Sequence, residues 1–247
     1  MLAIGFDLGE TLIFYRGLGL SWEERYPAAF NAVGAACNIP MDEKRIDQAR
    51  SVLRRYNTRA TPRIEEVRCE AIFVEIFDAW GIECKCVPEN AISAFFRYFQ
   101  DQAEIYPDTV SALEHIRELG VPIGILTDVP YGMSPSFVRE DLRRAGIDHL
   151  LDVVLTSYDV GMRKPHPKGF EMLASALSTK PADFMFVGNE AKDITGANNA
   201  GIFSVLIDRE HTASKFGQGI DISGLAELVE LVKLLEVRPG YRHKRLS

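Results

Sequence analysis

Nothing in this 247-residue chain comes near an unbroken run of about 20 apolar residues, so no segment has the length or polarity of a membrane-spanning helix. The start carries no basic stretch and no small-residue cleavage site, which points to a cytoplasmic protein with no membrane partner. Positive charge is in deficit: 28 Lys and Arg stand against 35 Asp and Glu, a net charge of -7, and the one basic cluster is the terminal RPGYRHKRLS. A nucleic-acid footprint needs cations gathered on one face, so that class of partner is excluded and the tail reads as a frayed, solvated end. Cysteine is sparse as well. All four (Cys37, Cys69, Cys84, Cys86) precede residue 90, and Cys84-Lys85-Cys86 lacks the paired C-x-x-C spacing of a zinc site, so free reduced thiols are expected. Also missing are G-x-G-x-x-G after a strand, G-x-x-x-x-G-K-[ST], G-x-S-x-G and H-E-x-x-H, which removes the usual support for dinucleotide, P-loop, serine-hydrolase and zincin chemistry.

What is present falls into two patterns. Short apolar runs at 2–6 (LAIGF), 121–127 (VPIGILT), 152–156 (DVVLT), 184–188 (FMFVG) and 203–207 (FSVLI) are continuous rather than alternating, as parallel strands buried on both faces require. From residue 107 onward they alternate with helical patterns, which predicts right-handed βαβ units and a Rossmann-like doubly wound α/β sheet. Between about 15 and 104 the rhythm changes to four stretches of helical spacing: EERYPAAFNAVGAA, EKRIDQARSVLRRY, EVRCEAIFVEIFDAW and ENAISAFFRYFQ. These predict an all-helical cap domain, 15–104, inserted into a core formed by 1–14 and 105–247. The cap is expected above the strand end from which the chain leaves.

Ligands of open α/β sheets bind at the carboxyl ends of the strands. Polar groups gather there: Asp7 after LAIGF, Thr127 and Asp128 at the end of VPIGIL, Lys164 in GMRKPHP, and Asn189 with Asp193 after FMFVG. Singly, each reads as a turn, a cap or a solvated charge. Jointly they supply what attack on a phosphoryl group needs: a carboxylate nucleophile, a hydroxyl donor, a fixed cation, and oxygens for a hard divalent metal.

Their order and context resemble the haloacid dehalogenase superfamily of aspartate-nucleophile hydrolases over nearly the whole chain. FDLGETL is similar to the family's first motif, ILTD to the second, GMRKPHPKGF to the third and VGNEAKDITGANNAG to the fourth, and the helical stretch lies where the family inserts its C1 cap. The resemblance implies that Asp7 forms an aspartyl-phosphate, Thr127 holds a phosphoryl oxygen, and Lys164 pairs with nucleophile and phosphoryl group. It further implies that Mg²⁺ is held by Asp7, the Gly9 carbonyl and Asn189, with Asp193 serving it directly or through water. Asp128, Lys164 and Arg16 are expected at the substrate, a small phosphorylated metabolite, and Tyr15, Trp22, Arg25 and Tyr26 near the entrance. A monomer or homodimer is expected.

Two positions depart from the family pattern. Gly9 stands where its phosphatases carry the second aspartate, the general acid; Glu10, His166 or a cap residue is left to supply the proton, unless none does. Asn189 stands where a metal-binding aspartate is usual, which predicts weaker Mg²⁺ binding unless Glu190 restores the charge. A Mg²⁺-dependent phosphatase is the leading expectation. The alternatives are a 2-haloacid dehalogenase-like hydrolase, whose halide leaves unprotonated, and a phosphate-binding protein with little or no turnover. Against the dehalogenase, Gly9 replaces the tyrosine usual in its first motif, and GNEAKD lacks its serine-serine-asparagine pattern.

Overall fold

The computed structural model describes residues 2–17, 22–83, 87–101 and 103–237; Cys84, Cys86 and the basic tail therefore lie outside the described residues. The five apolar runs become β1 (Ala3–Phe6), β4 (Ile123–Thr127), β5 (Val153–Thr156), β6 (Phe184–Gly188) and β7 (Phe203–Ile207). Every residue of β1, β4 and β6 is buried, which is why these strands carry apolar side chains on both faces. A sixth strand, β8 (Ile220–Ile222), escapes sequence reading because its three residues include the exposed Asp221. All six run parallel in the order β5-β4-β1-β6-β7-β8. Their crossovers and flanks are α5 (Thr109–Glu118), α6 (Pro135–Arg144), α7 (Ser157–Val160), α8 (Lys168–Ala176), α9 (Ala191–Asn199) and α10 (Leu225–Val237). From β1 the chain passes first to β4 and β5 on one side and then to β6, β7 and β8 on the other. The carboxyl end of β1 is thus the topological switch point, where such sheets open a crevice.

The stretch between β1 and β4 holds the four predicted helices, α1 (Tyr26–Cys37), α2 (Glu43–Tyr56), α3 (Cys69–Ala79) and α4 (Glu89–Gln100). Asp42 caps α2 by accepting the Arg45 N–H at 2.8 Å, and Ala49, Val52 and Leu53 form its buried stripe. Helix α1 packs on α4 and α2 on α3. At their centre the Phe95 ring meets Phe30, Phe73, Phe96 and Phe99 at centroid separations of 5.2, 5.4, 5.3 and 5.2 Å, mostly edge to face, so the insertion has an aromatic core. Two short strands absent from the sequence reading, β2 (Ile13–Tyr15) and β3 (Ala103–Ile105), pair antiparallel. The insertion leaves and returns through this ribbon. Its α2–α3 connection, residues 57–68, reaches back over the carboxyl end of the sheet, where Arg59 and Arg63 line the same cavity as Asp7.

Candidate active site

That cavity, of about 830 Å³, is bounded below by strand ends and above by the helical insertion. Asp7, Thr127, Lys164 and Asn189 all line it, so the structure brings together residues spread over more than 180 positions. At its floor Lys164 Nζ donates to Asp7 Oδ1 at 2.6 Å and to the Leu126 carbonyl at 3.3 Å, and pairs as an ion with Asp193 Oδ1 at 2.6 Å. Asp128 accepts the Lys164 N–H at 3.1 Å and so fixes the loop that delivers the lysine. Burial by itself would depress the lysine's pKa, but Asp193, Asp7 and Asp128 outweigh it and hold the ammonium charged. Asp7 shows the other side of this sharing. Burial pushes its carboxyl up to about 6, and the pull of Lys164 is partly cancelled by the neighbouring Asp193 charge.

Asp193 departs from its expected place. It is fully buried behind Lys164, and its Oδ2 accepts the Asn189 and Glu190 N–H groups at 3.1 and 2.9 Å, so both oxygens are engaged outside the cavity. It therefore serves as the second anchor of the lysine rather than as an open metal ligand. Gly188 permits this approach: a Cβ there would sit 2.4 Å from the Asp193 Cβ. Arg16 departs too. Its side chain is 74% exposed, pairs with Glu104 at 2.6 Å, and does not line the cavity.

The remaining candidates sort by contact. Tyr15 and Trp22 line the cavity. Arg25 donates to the Gly17 carbonyl at 3.2 Å, and Tyr26 is buried against Tyr131, to which its hydroxyl is hydrogen-bonded. His166 Nδ1 accepts the Lys168 N–H at 3.2 Å and does not face the cavity. Glu190 lines the wall, but Lys192 at 2.7 Å and Arg59 at 3.1 Å occupy its carboxylate and, against the cost of burial, hold it below the usual range.

The first motif has a reversed backbone logic. Glycine sits at position 9, where an added Cβ would meet nothing within 4 Å and φ is not left-handed, while the left-handed conformation falls on Glu10, at φ +57. Such a conformation costs a side-chain-bearing residue about 1 kcal/mol. The Glu10 carboxylate also lines the cavity and accepts the Tyr106 hydroxyl at 2.9 Å, so it is anchored rather than turned out to solvent.

For a hard cation the open oxygens are the Asp7 carboxylate, the Gly9 carbonyl and the Asn189 amide oxygen, which also receives the Thr11 hydroxyl at 3.3 Å. Among the described residues no three Asp, Glu, His or Cys side chains cluster as a metal site. Mg²⁺ is commonly held by one or two carboxylates with waters and substrate phosphate completing its shell, so this oxygen-only set fits it with a single protein charge.

The model of haloacid dehalogenase-like hydrolases matches residues 1–201 of the chain. The chain belongs to that family. This hydrolase is 39% identical over 105 residues to the glyceraldehyde 3-phosphate phosphatase of Methanopyrus kandleri, a match covering 42% of the chain and 43% of the relative. The matched part spans about half the length of such curated relatives. Among solved structures it resembles a HAD phosphatase from Thermococcus onnurineus (25% identity, TM-score 0.64, covering 94% of this chain and 98% of that one). It also resembles a 2-haloacid dehalogenase from Pseudomonas syringae (21% identity, TM-score 0.68, covering 95% and 99%), a likeness of fold alone. The hydrolase fold thus carries either chemistry, and the side chains at the floor must decide between them. Among its described residues no helix is long and apolar enough to cross a membrane.

Arg59, Arg63, Arg163 and Glu66 were not among the sequence candidates. The signal was available for Arg163, which directly precedes Lys164. It was faint for Arg63 and Glu66, which sit in TPRIEEVR between two amphipathic stretches and look like solvated loop charges.

Proposed function

We propose that the protein is a Mg²⁺-dependent phosphatase of a small phosphorylated metabolite, with residues 15–104 as a cap domain over the core of 1–14 and 105–247. The observation that carries this reading is the Lys164–Asp7 contact of 2.6 Å beside Thr127 on the cavity floor. A buried carboxylate fixed by one ammonium is a nucleophile with a defined attacking oxygen. Lys164 holds Oδ1, which leaves Asp7 Oδ2 to attack phosphorus. The bond from phosphorus to the ester oxygen breaks, and that oxygen leaves with the bonding pair. Water then attacks the phosphorus of the aspartyl-phosphate, the bond to Oδ2 breaks, and inorganic phosphate and the Asp7 carboxylate are released. Lys164 and the Thr127 hydroxyl stabilise the phosphoryl oxygens throughout. Asp7, Gly9 and Asn189 would hold Mg²⁺, which supplies charge neutralisation at those oxygens.

Gly9 has no proton to give, His166 does not line the cavity, and the Glu10 carboxylate is held by the Tyr106 hydroxyl at 2.9 Å. Departure of the ester oxygen therefore depends on its own stability as an anion. A panel of aryl, acyl and alkyl phosphates together with 2-haloacids, assayed with Mg²⁺ and with chelator, tests the reading. Metal-dependent release of phosphate, faster for better leaving groups, is expected; halide release unaffected by chelator would overturn it in favour of the dehalogenase.

A further inference from the structure

Beside the floor, the same cavity has a second charge pattern, built around Glu66. This carboxylate is 2% exposed and accepts four donors: the Arg163 guanidinium, the Ser157 hydroxyl at 2.5 Å, Arg63 Nη2 at 3.2 Å and the Val67 N–H at 2.9 Å. Its lone pairs are thereby filled. One carboxylate thus serves two guanidiniums, and the trio keeps a positive charge. The neighbouring pairs do not remove it. Arg59 and Lys192 share Glu190, and Lys192 and Arg163 reach Asp128 at 3.5 and 3.8 Å. Four cations in this connected network face three carboxylates.

The excess charge is held where a ligand can reach it. Arg63 and Arg163 both line the cavity that Asp7 lines, yet their side chains are only 18% and 6% exposed. Arg163 is further fixed by donation to the Val129 carbonyl at 2.8 Å, and Arg63 by donation to the Tyr56 carbonyl at 2.6 Å. The buried Nε of Arg63 has no partner. A trio that served only to tie the α2–α3 connection to the sheet would use up its donors and need no opening on the cavity. An unpaired guanidinium donor in a desolvated wall costs free energy, and the geometry of a guanidinium fork lining the cavity suits a carboxylate or a phosphate.

Building on the phosphatase reading, we infer that the substrate carries a second anionic group, a carboxylate or a second phosphate, which docks on Arg63 and Arg163 while its reacting phosphoryl group faces Asp7. The cavity's volume of about 830 Å³ accommodates a short carbon chain between the two ends. Neutral alcohols and simple sugars as leaving groups leave the trio unmatched.

The test uses phosphonates, whose carbon–phosphorus bond cannot be hydrolysed. Calorimetric titrations in Mg²⁺ buffer compare propylphosphonate, 3-phosphonopropionate and propane-1,3-bisphosphonate on the intact protein. Tighter binding of one or both acid-bearing ligands, by about 10- to 100-fold over propylphosphonate, is expected for one or two charge-assisted contacts. The carboxylate and bisphosphonate arms report which anion is preferred. In Arg63→Gln that ratio should fall to near unity, and Arg63→Lys should restore part of it. Equal binding of all three ligands, no binding of any, or an unaltered ratio in Arg63→Gln overturns the inference. Selective binding accompanied by no turnover of any phosphate ester would instead sink the phosphatase reading and leave the second anion site standing.

Discussion

The cavity has two charged regions with opposite balances. On the floor one ammonium, Lys164, stands between two carboxylates, Asp7 and Asp193; in the adjoining wall four cations stand against three carboxylates. The floor and the Arg63–Glu66–Arg163 trio are largely removed from water, where an unbalanced charge is costly and is relieved by whatever ion the site is shaped to receive. The floor is short of positive charge and the wall is short of negative charge. A phosphorylated anion accompanied by a divalent cation satisfies both, which is why the same fold can be read more narrowly here than its topology permits.

Breaking the floor should have the largest effect. Asp7→Asn removes the proposed nucleophile while leaving Lys164 neutralised by Asp193, so turnover should vanish with the thermal midpoint little changed; retained phosphate release would exclude Asp7 as nucleophile. Lys164→Ala leaves two buried carboxylates without their cation and should lower kcat/KM about 10²-fold or more, with a loss of stability read in the same melting experiment.

Sharpening the floor comes next. Gly9→Asp places a carboxyl where the structure has open space and no left-handed backbone, so it should fold and raise alkyl-phosphate turnover by about 10- to 100-fold, with little gain for aryl esters. Equal rates for alkyl and aryl esters in the natural protein, with Glu10→Gln silent, would show that no proton donor is missing. Asn189→Asp returns one charge to the oxygen set and should tighten Mg²⁺ about tenfold by calorimetry; unchanged or weaker affinity would remove Asn189 from that set.

The smallest effect concerns a carboxylate outside both regions. Asp141 is 4% exposed, accepts the Gln100 amide at 2.8 Å, and burial raises its pKa to about 6. Because the folded state holds this proton more tightly than the unfolded chain, the destabilisation is full above about pH 6 and gone below the ordinary value of 3.8. Asp141→Asn should therefore stabilise the protein by about 1–2 kcal/mol at pH 7.5, with the gain shrinking between pH 6 and 4. Urea titrations at three pH values check the sign, and a pH-independent difference would mean that burial of the charge is not the cause.

Legibility followed the range of the physics. The runs at 184–188 and 203–207 match their strands residue for residue, and the other three match within two residues, because burial on both faces demands an unbroken apolar run. The four inserted helices were readable from spacing for the same kind of reason. The β2–β3 ribbon was not, since three-residue strands are too short to show a period, and neither was β8. At the floor, the Lys164–Asp7 pairing followed from motif order, but the burial of Asp193 behind the lysine and the diversion of Glu190 to Arg59 and Lys192 did not. Arg16 misled because its nearness to the first motif along the chain said nothing of the ribbon that turns it toward Glu104.

Local chemistry and periodicity, which the amino-acid order alone carries, determined the parallel sheet, the helical insertion, the carboxylate at the end of β1 and the absence of a carboxyl at position 9. Only tertiary structure decided which charges meet. The Arg63–Glu66–Arg163 trio joins a loop of the insertion to the connection after β5, and the left-handed φ at Glu10 emerges only once the turn after β1 closes on Ile13. Charge pairing in a desolvated cavity depends on distances between segments far apart in the chain, and no spacing rule within a single segment encodes those distances.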